Sequence, residues 1–273
     1  MGQVPTYKKI ALRFKTYKKE MYDAWRALSL VQFYAPLIHK SVKSGDFPPL
    51  ELVRVPVTDK TVLSKAKTFG VLDHISRKAI LRTTLMETVA RFEYFHSDLC
   101  RYVYTDYPRK ITRNAGDESE ERREKLLNLV FASSSKEEIV NRLVEDRVRS
   151  IFYGNPIDFF LKDKGNLEFG SSFKDNCVPA MDKLAEILAR RNLYAHNDGR
   201  VDRKYRREVK NPQFRSGERA QLSDDYLKEG IDLLVGVASM SGCLVNQNIY
   251  KNTSPNSTLA DSFGHFKRLY WVN

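Results

Sequence analysis

At 273 residues and 42% hydrophobic, the chain is long enough to bury one large core or two small ones. It carries 46 Lys and Arg against 34 Asp and Glu, a net charge of +12 that favours polyanionic partners through counterion release. Three widely spaced cysteines, Cys100, Cys177 and Cys243, argue against a disulfide framework and fit a reducing compartment, where they serve as small buried hydrophobes. No leader-like apolar region opens the chain and no apolar run approaches a membrane span, so a cytoplasmic protein with no membrane partner is expected.

In chain order, Ile10, Phe14, Tyr17, Met21, Ala24 and Leu28 recur at spacings of three and four, which predicts an amphipathic helix with a lysine-rich back. A second helix is predicted over 30–43. The segment 45–59, with Pro48, Pro49 and Pro56, reads as a linker or a short strand-like connector, and as the boundary between an amino-terminal helical extension (1–58) and the main bundle (59–249). From 73 to 104 the stripe Leu85, Val89, Phe92, Leu99 and Val103 marks a central helix, with His96 in one of its places. A charged stretch, 116–125, opens a helix through Phe131, and Ser135-Lys136-Glu137-Glu138 is a capping box announcing another to about 153. Asn155-Pro156 starts a short helix, 165–176 is a loop, and Ser223-Asp224-Asp225 caps a long helix with Leu227, Ile231, Leu234, Ala238 and Val245 inward. Residues 250–273 form a tail with a basic-aromatic finish. Strand alternation is absent over any useful length, so the fold class is an all-α helical bundle.

One segment concentrates chemistry. Met181, Leu184 and Leu188 define a helix whose buried stripe continues into Arg191 and Asn192, polar groups that a core resists unless they meet partners or line a cleft. Asn192 and His196 are four apart and share a face, so the amide is placed to orient the imidazole. Arg191 lies five before His196, about 140° around the helix, flanking the ring without stacking beneath it. Asn197-Asp198-Gly199 then ends the helix. A phosphate-binding cation, an amide and a titratable imidazole within a turn and a half are the parts needed for RNA cleavage by its own 2′-hydroxyl. The base takes the hydroxyl proton, a donor protonates the leaving 5′-oxygen, and positive charge stabilises the phosphorane. Cations in a last helical turn also simply favour the negative helix end. Arg-x4-His alone is expected roughly 0.4 times by chance in such a composition, so context decides. Arg91 and His96 repeat the spacing, but inside a long apolar segment, and that histidine reads as hydrogen-bonded structure. Beyond the motif, Arg200, Arg203, Lys204, Arg206 and Arg207, with Arg190 before it, supply positive charge for a departing strand.

The segment Arg190-Arg191-Asn192-Leu193-Tyr194-Ala195-His196-Asn197-Asp198-Gly199, continuing to Tyr205, resembles the HEPN family, in its longer bacterial members. Phe92-Glu93-Tyr94-x-x-x-Asp98-Leu99 resembles it more faintly, and the likeness spans about 70–245. It implies an all-α bundle, metal-independent RNA cleavage by Arg191, Asn192 and His196, and a homodimer that brings two His196 side chains together. It also implies a toxin or antiphage role with a neutralising or sensor protein, and a Glu93 that holds Arg191. Other members are inactive scaffolds or nucleotide binders; the alternative for this chain is a non-catalytic helical module that binds RNA or a partner protein. No cofactor and no metal are expected, since neither zinc-ligand spacings nor glycine-rich phosphate loops occur, and Gly-x-Ser-x-Gly is missing.

Overall fold

A computed structural model describes residues 4–49, 51–53, 60–111, 120–150, 154–254 and 256–271, and the chain is an all-α helical bundle. Helix α1 (Thr6–Ser44) buries Ile10, Phe14, Tyr17, Met21, Ala24 and Leu28, the stripe read from the sequence. It does not stop near 29: the two helices expected over 10–28 and 30–43 are one, because nothing between them breaks the pattern and the helix accommodates Pro36. Gly45 ends it in the left-handed conformation (φ 89°), its N–H donating to the Ser41 carbonyl at 3.1 Å. The connector holds a two-stranded antiparallel ribbon, β1 (Glu51–Val53) and β2 (Lys60–Val62), with Glu51 opposite Val62; Pro56 lies outside the described residues.

Helix α2 (Lys65–His74) passes through one π-helical turn, Ile75–Ala79, into α3 (Ile80–Asp106), so the central helix begins well before the expected 73. Helices α4 (Glu120–Ala132) and α5 (Lys136–Ser150) follow; the expected opening over 116–119 and the continuation to 153 lie outside the described residues. At the start of α5 the Ser135 hydroxyl accepts the Glu138 N–H at 3.1 Å, and the Glu138 carboxylate accepts the Ser134 N–H at 2.9 Å. The capping box thus forms with its return bond one residue early. Two short helices, α6 (Asp158–Leu161) and α7 (Ser172–Asn176), precede α8 (Val178–His196), α9 (Arg203–Glu208) and α10 (Asp224–Asn248). The expected tail carries a further helix, α11 (Ser257–Tyr270).

One core joins α1, α3, α5, α6, α7, α8, α10 and α11, and a second, smaller cluster of Ala189, Leu193, Val201, Tyr205, Val209 and Ala220 packs α9 against the end of α8. In the first, Tyr17 stacks on Phe95 at 5.1 Å between ring centres, Phe14 meets the same ring edge-on at 5.8 Å, and Phe92, Leu184, Ile187, Leu234 and Val237 continue the cluster. Each such side chain contributes about 2 kcal/mol on leaving water. Phe266 of α11 is buried against Gly236 of α10, where a β-carbon would sit 2.3 Å from its ring. Buried residues of α1 and α11 therefore belong to the same core cluster as those of α3, α8 and α10. All three cysteines are buried, and burial pushes the Cys177 thiol up to about 11. No helix among the described residues is long and apolar enough to cross a membrane.

His96 lies wholly inside. Its Nδ1 is 2.9 Å from the Phe92 carbonyl, which assigns the proton there, and Nε2 lies 3.0 Å from the Ser241 hydroxyl, which is also 3.0 Å from the Val237 carbonyl. Four phenylalanine rings, Phe92, Phe95, Phe159 and Phe160, surround it. Arg91 points away, to Glu20 and Glu87 at 3.5 Å each. This second Arg-x4-His pair is core structure, as its apolar context indicates.

Candidate active site at the end of helix α8

Helix α8 is aimed by its buried face, Met181, Leu184, Ile187 and Leu188, against α3 and α10, and its polar last turns emerge where that face runs out. Arg191 and Asn192 are half-buried at this edge, and His196, the last helical residue, is exposed. Arg191 Nη2 donates to Glu93 Oε1 of α3, an ion pair spanning 98 positions of sequence and the contact the family resemblance implies. With only 20% and 25% of the two side chains exposed, the pair is shielded well beyond a surface salt bridge. Burial raises the Glu93 carboxyl above the usual carboxylate range, and the adjacent guanidinium offsets part of that rise. Arg191 Nε is buried with no hydrogen-bond partner among the described residues. The expected Asn192–His196 hydrogen bond is not made, and among the described residues the imidazole has no hydrogen-bonding or ionic partner. Helical spacing puts the two on one face, but at an exposed last turn that face opens to solvent.

The helix stops as its sequence requires. The N–H groups of Asn197 and Gly199 both donate to the Leu193 carbonyl, at 2.7 and 3.0 Å, with Asp198 (φ 49°) and Gly199 (φ 76°) left-handed. A returning loop pins this turn: the Ala220 N–H donates to the Gly199 carbonyl at 2.9 Å, and the Tyr194 hydroxyl to the Ala220 carbonyl at 2.6 Å. A β-carbon at Gly199 would lie 2.7 Å from the Tyr194 ring. Gly199→Ala is therefore expected to destabilise the fold by about 2 kcal/mol or more, through left-handed strain and the clash together, read as a lowered urea midpoint. An unchanged midpoint would mean that this turn is not closed as described.

Two further arginines complete the helix end: Arg82, which the sequence does not single out, and Arg219, the last of the basic run that follows the motif. Arg82 Nη2 donates to the Tyr194 carbonyl at 2.9 Å and its Nη1 lies 3.9 Å from Asp198, while Arg219 pairs with the same Asp198 carboxylate. Cations at a helix carboxy-terminus complement its unpaired carbonyls. No local pattern marks Arg82, which comes from another helix, and the basic run that includes Arg219 does not tell that it turns back onto Asp198.

The expected RNA-binding residues divide. Arg203, Lys204, Arg206 and Arg207 are exposed on α9, whose Tyr205 and Val209 neighbour turn inward, so they form a basic ridge beside the motif. Arg200 is exposed too, and its guanidinium reaches the Gly217 carbonyl at 3.4 Å. Arg190 is a correction: it is only 4% exposed and structural. It donates to Glu186 at 2.6 Å and to the Gln221 carbonyl at 2.7 Å, and lies over the Tyr226 ring at 4.0 Å. Glu186, unforeseen, also accepts the hydroxyls of Tyr205 (2.7 Å) and Tyr226 (2.8 Å), tying α8 to α9 and α10. Its only sequence signal is the four-residue spacing from Arg190. Compared with known proteins, this chain matches no family model, no curated protein and no solved structure.

Proposed function

We propose that this protein is a metal-independent endoribonuclease acting at the end of α8. The observation that carries the reading is the shielded Arg191–Glu93 pair beside an unengaged, exposed His196 on the same helix end. Glu93 fixes one edge of the guanidinium, which removes rotamer freedom from a cation meant for a phosphate and lowers the entropy cost of docking it. His196 is solvent-facing and able to take the 2′-hydroxyl proton or return one to the 5′-oxygen. Attack of that oxygen on its own phosphorus breaks the P–O5′ bond and leaves a 2′,3′-cyclic phosphate and a 5′-hydroxyl. Arg191 neutralises the charge that accumulates on the nonbridging oxygens, and Asn192 offers an amide to phosphate.

Base and acid are two tasks for one motif histidine per chain, so the reading includes a homodimer with two His196 side chains facing a shared substrate. Such an enzyme acts as a toxin or antiphage effector, restrained by a neutralising or sensor protein. A non-catalytic protein-interaction module is the second reading, favoured by the exposed stripe Leu30, Phe33, Tyr34 and Leu37 on α1. Incubating labelled RNA with wild type and Arg191→Ala in excess chelator separates them. Cyclic-phosphate ends produced by wild type alone support the enzyme; equal cutting by both, or none by either, contradicts it. Glu93→Ala is expected to lower kcat roughly 10- to 100-fold by freeing the guanidinium, with a smaller change in KM.

A further inference from the structure

Beside the end of α8 lies a cleft of about 600 Å³, within the usual range for ligand sites. Its walls carry Arg77, Lys78, Arg82 and Arg219; the one carboxylate among the lining residues is Asp198, and Asp73, one turn before Arg77, pairs with that guanidinium at 2.7 Å. Arg82 and Arg219 share the Asp198 carboxylate, leaving surplus charge between them. Lys78 is exposed and, with His74 on the same wall, has no hydrogen-bonding or ionic partner among the described residues. The wall bearing Arg77 and Lys78 is the π-helical turn, closed by the Ile80 N–H donating to the Ile75 carbonyl, a local irregularity that often accompanies a functional surface. Asp198 and Tyr194, on the opposite wall, stand two residues to either side of His196. An open cleft whose four cations outnumber the two carboxylates that pair with them, lined by residues two positions from His196 in sequence, fits a chain of phosphates better than a neutral metabolite.

We infer that this cleft is a phosphate-binding subsite for the RNA strand on one side of the scissile bond. The inference rests on the nuclease reading for the strand's direction, but its binding is measurable without cleavage. The test measures affinity of the full-length protein for a labelled 12-nucleotide 2′-O-methyl RNA, which lacks the attacking hydroxyl, by fluorescence anisotropy over a salt series. Arg77→Glu/Lys78→Glu is expected to weaken binding about tenfold at 0.1 M salt and to flatten the log–log salt dependence by about 1.4, since each single-strand phosphate contact contributes about 0.7. Lys78→Ala, which removes one unpaired ammonium with little strain, is expected to weaken it about threefold. Lys174→Glu, an exposed reversal elsewhere, should give a smaller change than either. Cleft variants that bind like Lys174→Glu overturn the subsite, even where His196→Ala still abolishes cleavage. Weakened binding by the cleft variants together with no cleavage by wild type keeps the subsite and removes the nuclease reading. Saturable binding of a 5′-mononucleotide as tight as that of the 12-mer would show a free-nucleotide site and overturn the strand assignment.

Discussion

Replacing His196 with Ala is expected to lower the RNA cleavage rate by about a thousandfold, the usual scale for losing a positioned general base. The same variant should melt within a degree or two of wild type. The imidazole is exposed, touches no partner among the described residues and caps nothing, while the turn that ends α8 is closed by backbone bonds from Asn197 and Gly199. Its loss thus separates chemistry from folding more cleanly than Arg191→Ala, which leaves a raised carboxyl at Glu93 without its cation. Imidazole added to the buffer should restore part of the rate to His196→Ala and none to Arg191→Ala. Cleavage by His196→Ala at more than a tenth of the wild-type rate would move the chemistry elsewhere.

Acidification is expected to unfold the protein through the other motif-like histidine. Burial among four phenylalanines pushes the His96 pKa from 6.5 down to about 3. Between those values the unfolded chain binds a proton that the folded chain does not, so this contribution is complete above about pH 6.5 and is lost as pH falls towards 3. The slope is about 1.4 kcal/mol per pH unit, and the full loss on the order of 5 kcal/mol, comparable with the whole stability of many domains. Glu93 has the opposite sign: its raised carboxyl relieves a cost as pH falls, but only on approach to that pKa. Urea midpoints from pH 7 to 4 should fall steadily for wild type and much less for His96→Leu, which keeps the apolar volume. A flat wild-type profile would mean that water reaches the ring.

What could be read from the sequence was what is local along it. The motif is contiguous, and both its helix and its turn signal, Asn197-Asp198-Gly199, are written in neighbouring residues. The stripe of α1 needs only the helical period, and since no residue near 29 terminates the helix, the second helix predicted over 30–43 is its continuation. Helix α11 was missed for a non-local reason. Its sequence is polar at the start, and Phe266 finds its place only against Gly236, thirty positions earlier. The two adjacent arginines show the same division. Composition treats Arg190 and Arg191 alike, but one step along a helix turns a side chain by 100°, sending Arg190 under Tyr226 and Arg191 to Glu93. The cleft joins Arg82 and Arg219 from segments more than a hundred positions apart, so the basic run that contains Arg219 does not disclose it.

The most direct measurement uses an RNA that wild-type protein cuts at a mapped position, resynthesised with one 2′-deoxynucleotide on the 5′ side of that bond, in buffer containing excess chelator. Attack by the neighbouring hydroxyl predicts normal cutting of the all-ribose strand, with a cyclic-phosphate end, and no product at the deoxy position. Cutting of the deoxy strand at the same bond, or a cut that appears only when divalent metal is restored, would contradict the account.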